Sequence, residues 1–492
     1  MELTRDICYS ALVSRDARFD GHFFVGVSTT GIYCRPICRV RTPNAANTHF
    51  FPSAAAAEKA GYRPCLRCRP EIAPGYAPVD SGHSLAHAAR QMIDKGMLDT
   101  HSAEHLAARL GISSRYLRRI FHDQYGVSPG EYNHSRRLLL AKQLLTDTRL
   151  PISDIALAAG FRSLPRFNTV FRQTYRMPPS RFRRQGIAAD ANVFSFELGY
   201  RPPYAWRQLL HFLQPRAIRG VEAVAGDSYR RVITLRDAGG DSWTGWVEIS
   251  HRAARQRIAI KLAHGLLPRL SIIRSSLSHF LDLSQNPHEI QAALGQLQDW
   301  QPGLRMPGCL DGFEAAVRAI AGQQITVGAA ITWLHKFVDR FGCEVATPFP
   351  DLNRSFPSAT TIAELAVEQI AELGIIRQRA AAIIELARRY REDPTLLEPG
   401  FDAENKIGRL LTIPGIGDWT AQYIAMRALS HADAFPAADA GVLAALSTLN
   451  GHKMQAAQAR HLAQSWRPWR SYMTLHLWSI GNLTDGRNTH DN

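Results

Sequence analysis

The stretch TTGIYCRPICRVRTP (residues 29–43), with the later stretch GYRPCLRCRP (residues 61–70), decides how the first part of this chain folds. Together they hold four of the seven cysteines in two close pairs, Cys34-x3-Cys38 and Cys65-x2-Cys68, with 26 residues between the pairs. Two short-spaced pairs joined by a longer loop are typical of a tetrahedral four-cysteine zinc site. This segment has few large apolar side chains, so a bound metal would supply stability that its core lacks. The sequence therefore predicts a small domain built around one Zn²⁺.

Arginines surround these cysteines and indicate a second role. The six are Arg35, Arg39, Arg41, Arg63, Arg67 and Arg69. Four thiolates on one Zn²⁺ leave a net charge of about −2 and electron-rich sulfurs, and a thiolate is the nucleophilic form of cysteine. Arginines can hold a phosphate backbone against such a sulfur, which favours attack on the alkyl group of a damaged phosphotriester. A purely structural zinc site and a redox or metal sensor are the alternatives.

The two cysteine stretches resemble the N-terminal domain of the bacterial Ada proteins, over about residues 1–78. The resemblance implies that Cys34, in TTGIYC, accepts a methyl group from DNA methylphosphotriesters. It also implies that Cys38, Cys65 and Cys68 complete the zinc site. Spacing alone does not choose among the four.

Length and charge indicate several domains and an anionic partner. The 492 residues exceed what one hydrophobic core holds, and the formal net charge is +15. Between residues 111 and 187 there are 14 Lys and Arg against 4 Asp and Glu, a local charge of +10. No apolar run approaches the roughly 18 residues of a membrane span, and the N-terminus lacks the apolar core of a signal peptide. We expect a bacterial, cytoplasmic, nucleoid-associated protein without a membrane partner.

The basic segment predicts two helix-turn-helix units joined by a long helix. In the first unit Ser102 caps one helix, Gly111 makes the turn and Ser113 caps the second helix; Gly160 makes the turn of the second unit. Pro165 is compatible with a recognition helix only in its first turn. The side chains expected to contact DNA are Ser114, Arg115, Arg118 and Arg119 in one unit and Leu164, Arg166, Asn168 and Arg172 in the other.

The elements DIALAAGF and PSRFRR resemble the AraC-type DNA-binding domain. The resemblance implies that the two units read successive major-groove faces of a promoter and that RNA polymerase is a partner. A helical bundle with a solvated basic face is the alternative.

The C-terminal half changes from strands to helices. FSFELGY, SYRRVITLR, GWVEISH and RQRIAIKLA predict strands, and helices dominate from Gly312 onward. In LLTIPGIGDWTAQYIAMRAL (residues 410–429), Gly415 and Gly417 form a tight turn between two helices. Such a turn brings backbone N–H groups to a DNA phosphate, whereas a plain helix–helix turn is the alternative.

Asp439 follows this hairpin by 22 residues and is the only ionisable residue between Ala434 and Gly451. Taken alone, Asp439 is typical of the N-cap residue of the next helix. Asp439 and the hairpin, taken together with the stretches LRMPGCLDGFEAAVRAIAGQQIT and RPWRSYMTLHLWS, resemble the AlkA-type 3-methyladenine DNA glycosylases of the helix-hairpin-helix superfamily. This resemblance covers about residues 193–486. The resemblance implies that Asp439 is the catalytic aspartate.

The same resemblance implies a base pocket, one departure from the family pattern and one absent residue. Trp419, Tyr423 and Trp478 match the family's aromatic pocket, where ring faces attract a cationic base; core packing is the alternative for each ring. Gln324 stands where some members place an apolar wedge, so its part in filling the gap left by the flipped base is open. Trp419 stands where strand-cleaving relatives have a lysine, so Schiff-base chemistry is not expected.

Other cofactors and activities follow from the same comparison. A monovalent cation at the hairpin is expected. No cysteine follows Cys343, so an iron–sulfur cluster is not expected. The Ada resemblance stops at the helical segment and includes no PCHR-like site, so direct reversal of O6-alkylguanine is not expected.

These patterns predict a multidomain protein with a small four-cysteine zinc α+β domain (1–78) and an all-α double helix-turn-helix domain (79–187). A small α+β domain (188–300), an all-α helix-hairpin-helix glycosylase domain (301–486) and a tail (487–492) follow. The predicted function is an alkylation-damage sensor and transcriptional activator joined to a monofunctional DNA glycosylase. The alternative is a transcription factor, or a metal or redox sensor, whose C-terminal half only binds damaged DNA.

Overall fold

A computed structural model describes residues 3–74, 85–148, 150–183, 193–236, 241–297, 299–400 and 402–487. Its first part is a four-stranded sheet with strand order β3-β1-β2-β4. β2 and β4 run parallel, whereas β1 is antiparallel to β2 and β3. The elements are α1 (Arg5–Ser14), β1 (Phe24–Val27), β2 (Ile32–Cys34), β3 (Thr48–Phe51), α2 (Ala54–Lys59) and β4 (Arg63–Pro64).

Seven α-helices follow within the described residues 85–148 and 150–183, and they contain the two predicted helix-turn-helix units. Ser102 accepts from His105 N at 3.2 Å and Ser113 from Tyr116 N at 3.2 Å, so both predicted caps are present. Gly111, with φ +68°, makes the first turn in the left-handed region that glycine tolerates. The helices are α3 (Leu85–Asp94), α4 (Met97–Thr100), α5 (Ala103–Arg109), α6 (Ser114–Tyr125), α7 (Pro129–Asp147), α8 (Ile152–Ala158) and α9 (Leu164–Tyr175).

A five-stranded antiparallel sheet with order β5-β9-β8-β7-β6 forms the third part. Four of its strands match the predicted stretches; the short β6 carries too little alternation for the sequence to indicate it. The elements are β5 (Val193–Gly199), α10 (Trp206–Leu213), β6 (Glu222–Ala225), β7 (Ser228–Arg236), β8 (Ser242–Arg252), β9 (Arg257–Ala263), α11 (Leu270–Phe280) and α12 (Pro287–Leu294).

The last part is helical, as predicted, and its buried core is built mainly from α13, α14, α17, α19 and α22. The helices are α13 (Gly312–Ala321), α14 (Val327–Phe341), α15 (Ala359–Ala363), α16 (Val367–Ala371), α17 (Arg377–Glu392), α18 (Ala403–Leu411), α19 (Asp418–Arg427), α20 (Ala440–Asn450), α21 (Ala456–Leu462) and α22 (Arg470–Arg487).

Buried polar contacts tie the first three parts together. Lys142 on α7 forms an ion pair of 2.5 Å with Glu71 of the N-terminal part, and both side chains are almost fully buried. The next residue, Gln143, donates from Nε2 to the Glu197 carbonyl on β5 at 2.7 Å. The long helix α7 is therefore the element against which both flanking parts pack.

Candidate active site and metal centre

The four cysteines meet because two parallel strands end side by side. Tyr33 on β2 is in register with Pro64 on β4, so Cys34, the last residue of β2, and Cys65, the residue after β4, lie at the same end of the two strands. Cys65 N donates to the Tyr33 carbonyl at 3.0 Å. Cys38 and Cys68 then return from the turns that follow each strand. The predicted pairing of the two stretches is thus a direct result of strand register.

The sulfur geometry suits one tetrahedral metal ion. The four Sγ atoms lie within 4.8 Å of one another. Zn–S bonds of about 2.3 Å would place tetrahedral sulfurs about 3.8 Å apart, so only small adjustments are needed. Backbone N–H groups of Arg35 and Arg67 donate to Cys68 Sγ and Cys65 Sγ, each at 3.4 Å, which favours thiolate over thiol. Cys34 is 6% exposed and Cys68 is half-buried.

The surrounding arginines divide into two groups, a buried pair and an accessible set. Arg35 is buried, and its Nε donates to Asp20 at 2.8 Å. Arg69 is buried between Glu71 and Asp147, with ion-pair distances of 3.0 and 2.8 Å. Both guanidinium groups are compensated inside the protein. The four that remain partly or fully accessible are Arg39, Arg41, Arg63 and Arg67.

The two recognition helices present their predicted side chains to solvent. On α6 the side chains of Arg115, Arg118 and Arg119 are exposed, while Leu117 and Phe121 face the core. On α9 the exposed set is Leu164, Arg166, Asn168 and Arg172. Pro165 lies in the first turn of α9, where a proline is tolerated. Ser114, the first residue of α6, is half-buried.

The predicted hairpin joins α18 to α19. Gly415 has φ +90°, and a Cβ there would lie 3.0 Å from Ala382 Cβ, so both backbone conformation and packing require glycine. Gln323, at the end of α13, donates from Nε2 to the Gly415 carbonyl at 2.8 Å and to Thr420 Oγ1 at 2.9 Å. Gly417 faces open space and is the N-cap of α19, with no side-chain cap. Among the residues that the structure describes, no side chain caps the backbone N–H groups at this helix start.

Asp439 is held by three donors. Its Oδ2 accepts from Trp419 Nε1 at 2.9 Å, and its Oδ1 accepts from Trp478 Nε1 at 2.8 Å and from Val442 N at 3.0 Å. The side chain therefore caps α20 and is also clamped between two indoles. Gly441 permits this arrangement, because a Cβ there would lie 3.1 Å from the Trp478 ring. Asp439 is 9% exposed, so its charge is largely shielded from water.

Aromatic rings form one wall beside this carboxylate. Tyr423 stacks on Trp419 with ring centroids 5.5 Å apart, and it lies 6.0 Å from Trp478. Phe212 on α10 stacks on Trp478 at 6.1 Å, so a different part of the chain completes the wall. All three predicted pocket rings are half-buried rather than fully enclosed in the core.

Two arginines beside these rings were not predicted. Arg216 has its Cζ 4.0 Å from the Phe212 ring centroid, and burial lowers the pKa of Arg216. Arg427 donates to Tyr423 Oη at 3.1 Å and to the Pro307 carbonyl at 2.6 Å. Arg427 follows Tyr423 by four residues on α19, a spacing that could have indicated it. Phe212 and Arg216 lie far away in sequence and carry no such signal.

Gln324 lies at the surface immediately after Gln323. It has φ +53°, a conformation uncommon for a residue with a side chain, and it is exposed. Its neighbours Ile325 and Val327 are 42% and 43% exposed. Gln323 thus faces inward to the hairpin while Gln324 points away from the core.

The fold and these two centres define a class: a DNA-binding repair protein with an N-terminal cysteine metal domain and a helix-hairpin-helix base-excision domain. Four family models match, described as the metal binding domain of Ada (7–71), a helix-turn-helix domain (106–185), the AlkA N-terminal domain (195–311) and an HhH-GPD superfamily base excision DNA repair protein (317–471). They confirm the predicted fold class.

The chain belongs to the family of bifunctional transcriptional activator/DNA repair enzymes AlkA. It is 36% identical to the "Probable bifunctional transcriptional activator/DNA repair enzyme AlkA" of Mycobacterium tuberculosis, over 96% of this chain and 95% of that one. It is 35% identical to DNA-3-methyladenine glycosylase 2 of Escherichia coli, over 58% of this chain and 96% of that one. A solved 3-methyladenine DNA-glycosylase from Archaeoglobus fulgidus aligns with a TM-score of 0.50 at 25% identity, over 58% of this chain and 98% of that one.

Among the helices in the described ranges, none combines the length and the apolar character needed to cross a membrane.

Proposed function

We propose that the C-terminal half excises alkylated bases of the 3-methyladenine type from DNA, with Asp439 as the catalytic residue. The observation that carries this proposal is the clamp of two indole N–H groups on Asp439 beside the aromatic wall. An isolated N-cap needs only the Val442 N–H; two further donors from α19 and α22 orient the carboxylate toward the rings. The similarity to DNA-3-methyladenine glycosylase 2 supports the same reaction.

The chemistry requires one anionic group. The bond between C1′ and the base nitrogen breaks, and its electron pair leaves with the base, which an alkyl group has already made electron-poor. Asp439 stabilises the positive charge that develops on the sugar, and water then adds to C1′ while the carboxylate receives a proton. Trp419, Tyr423 and Trp478 would hold the flipped base by stacking.

The reaction should stop at an abasic site. Trp419 stands where a strand-cleaving enzyme of this superfamily has its lysine, and its indole N–H is committed to Asp439. An indole cannot form a Schiff base with the sugar, so we propose a monofunctional glycosylase.

The hairpin and the Gln324 loop would position the duplex. Gly415 and Gly417 leave the backbone at the start of α19 accessible to a phosphate. Gln324, exposed in a left-handed conformation, would fill the gap left by the flipped base. A monovalent cation at the hairpin would have to share the Gly415 carbonyl with Gln323. Comparing DNA affinity in potassium and in a bulky organic cation tests that assignment.

In the N-terminal half we propose methyl transfer to Cys34. Its thiolate sulfur attacks the methyl carbon of a methylphosphotriester; the S–C bond forms, the O–C bond breaks, and the electron pair remains on the phosphate oxygen. The zinc ion would keep the four cysteines deprotonated. Arg67 and the other accessible arginines would hold the phosphate backbone.

The two helix-turn-helix units would then direct the methylated protein to its promoter. The exposed basic side chains of α6 and α9 support double-stranded DNA as the partner. The same proposal includes contact with RNA polymerase and association with the nucleoid in a bacterial cytoplasm. It also includes domain limits at residues 78, 187, 300 and 486.

One experiment tests both halves. DNA carrying radiolabelled methyl groups is incubated with the zinc-loaded protein, and label is followed to protein and to free base. Label should appear in both fractions. Cys34→Ser should abolish protein label alone, and Asp439→Asn should abolish free base alone. Loss of both labels in either variant, or free base from Asp439→Asn, would contradict the assignment.

A further inference from the structure

A cavity of about 280 Å³ lies where the four parts of the protein meet. Its walls include Ser53 of the N-terminal part, Tyr132 of α7, Ser275 of α11 and Tyr472 of α22. It is separate from the Asp439 site and from the cysteine cluster, whose residues do not line it. Neither proposed activity uses it.

Two helices face each other across this cavity with polar side chains. α11 contributes Ser271, Arg274, Ser275, Ser278 and His279, at the spacing of one helix face. α3 contributes His87, Arg90, Gln91 and Asp94 at the same kind of spacing. Helix faces buried between domains are normally apolar, so two facing polar stripes indicate a site for a polar occupant.

Most charges in the walls already have partners. Arg90 is 3.3 Å from Asp94. Arg136 is 2.5 Å from Asp99, outside the cavity wall. Glu71 is neutralised by Lys142.

Arg274 differs from these residues. Within the described ranges no carboxylate lies within ion-pair distance of it, and its one hydrogen bond is from Nη2 to the Glu71 carbonyl, at 3.4 Å. Burial is the main cause that lowers the pKa of Arg274 to about 10, and the positive charge of Arg136 adds to it, while Asp94, Glu71 and Asp147 oppose it from beyond ion-pair distance. A buried guanidinium without a carboxylate in direct contact is costly, so an anion in the cavity would relieve that cost.

A second group in the same cavity lacks a partner. Gln285 is 1% exposed, and in the described part of the chain its Nε2 has no hydrogen-bond acceptor. The Gln285 carbonyl, by contrast, accepts from Arg305 Nη1 at 3.0 Å, which fixes the residue in the wall. Because Nε2 itself is sealed from solvent, a ligand in the cavity does not reach this amide, and the site consists of Arg274 and the α11 serines.

We propose that this cavity binds the phosphate group of a small molecule, with Arg274 as its counter-ion and serine hydroxyls of α11 as donors. A guanidinium with neighbouring hydroxyl donors is a set that recognises phosphate oxygens. The volume exceeds that of inorganic phosphate and approaches the lower end of small-molecule sites, so a nucleoside monophosphate also fits.

The test is calorimetric titration of the full-length zinc-loaded protein with inorganic phosphate, with deoxyadenosine monophosphate and with deoxyadenosine. At least one phosphorylated probe should bind, and deoxyadenosine should bind at least tenfold more weakly, since a charge-assisted hydrogen bond contributes about tenfold or more. Binding of inorganic phosphate alone would assign the site to the free anion. Binding of the nucleotide with deoxyadenosine at least tenfold weaker would assign it to a phosphorylated metabolite.

Variants separate this cavity from the DNA-binding surfaces. Arg274→Gln should abolish phosphate-dependent binding, whereas Arg255→Gln, in an exposed turn, should leave it unchanged. Arg274→Lys keeps the charge and serves if the glutamine variant does not fold; it should retain weaker binding. No residue of the Asp439 site lines this cavity, so the outcome is independent of the proposed glycosylase reaction. No binding by the unmodified protein at 10 mM probe (roughly 3 kcal/mol of affinity), or equal binding by Arg274→Gln, would overturn the proposal.

Discussion

Replacing Asp439 by asparagine should remove base excision while leaving the fold and DNA binding largely in place. An asparagine oxygen at the Oδ1 position keeps the bonds from Trp478 Nε1 and Val442 N. The amide nitrogen then faces Trp419 Nε1, so one buried donor loses its acceptor. That loss should cost about 1–3 kcal/mol of folding free energy.

The loss in rate should be larger than the loss in stability. The catalytic charge acts on a sugar cation that we place about 4 Å from the carboxylate, and at an effective dielectric constant of about 20 the attraction is about 4 kcal/mol. Removing it should slow excision about a thousandfold. Trp419→Phe is the matched control, because it removes one hydrogen bond to Asp439 but keeps the carboxylate and an aromatic ring. Its loss should stay within about tenfold.

The assay is single-turnover release of 3-methyladenine from methylated duplex DNA. Affinity for a duplex with an abasic-site analogue, measured in parallel, reports DNA binding. The product strand should stay intact until base is added. If Asp439→Asn retains more than about a tenth of the unmodified rate (about 1.4 kcal/mol of barrier), the electrostatic argument is refuted. A Trp419→Phe variant as slow as Asp439→Asn would instead show that orientation, not charge, dominates.

Three further outcomes follow from the N-terminal half. Chelation of zinc, or Cys65→Ser, should unfold the four-stranded sheet while base excision continues. Circular dichroism and protease protection measure the unfolding. A sheet that survives complete metal removal would contradict the prediction. Glu58 accepts from Tyr33, Ser135 and Tyr175 hydroxyls at 2.9, 2.5 and 3.2 Å, and burial raises the pKa of Glu58 to about 7. In the folded protein Glu58 therefore keeps a proton that the same residue releases near pH 4.5 in the unfolded chain. The free energy of unfolding should fall by up to about 3 kcal/mol as pH rises from about 4.5 to 7. Glu58→Gln should flatten that slope in urea titrations, and an unchanged slope would show that another group titrates. Methylation of Cys34 removes one negative charge beside the DNA, and the repulsion between that charge and a phosphate about 6 Å away is roughly 2–3 kcal/mol before salt screening. Operator affinity should therefore rise about tenfold at low salt, and the gain should shrink as salt increases. Equal affinities of the two forms at low salt would exclude an electrostatic switch.

Local patterns determined much of this protein from the sequence by itself. Cysteine spacing, helix caps at Ser102 and Ser113 and the glycine turn at Gly415 depend on neighbours within a few residues, so the chain encodes them directly. Asp439 stood out because it is the single charge in an apolar stretch. Because such patterns are local, the cysteine cluster, the helix-turn-helix units and the hairpin could all be predicted.

Other features depended on contacts between distant segments, which no local pattern encodes. Sequence placed six arginines near the cysteines, but only packing decided that Arg35 and Arg69 face inward to carboxylates while others, such as Arg67, stay accessible. The same holds for Phe212, which reaches the Asp439 site from a different part of the chain. It also holds for the polar cavity, whose facing helices α3 and α11 lie far apart in sequence. A side chain's partner across a domain seam is set by how whole elements pack, and that is decided only when the chain is folded.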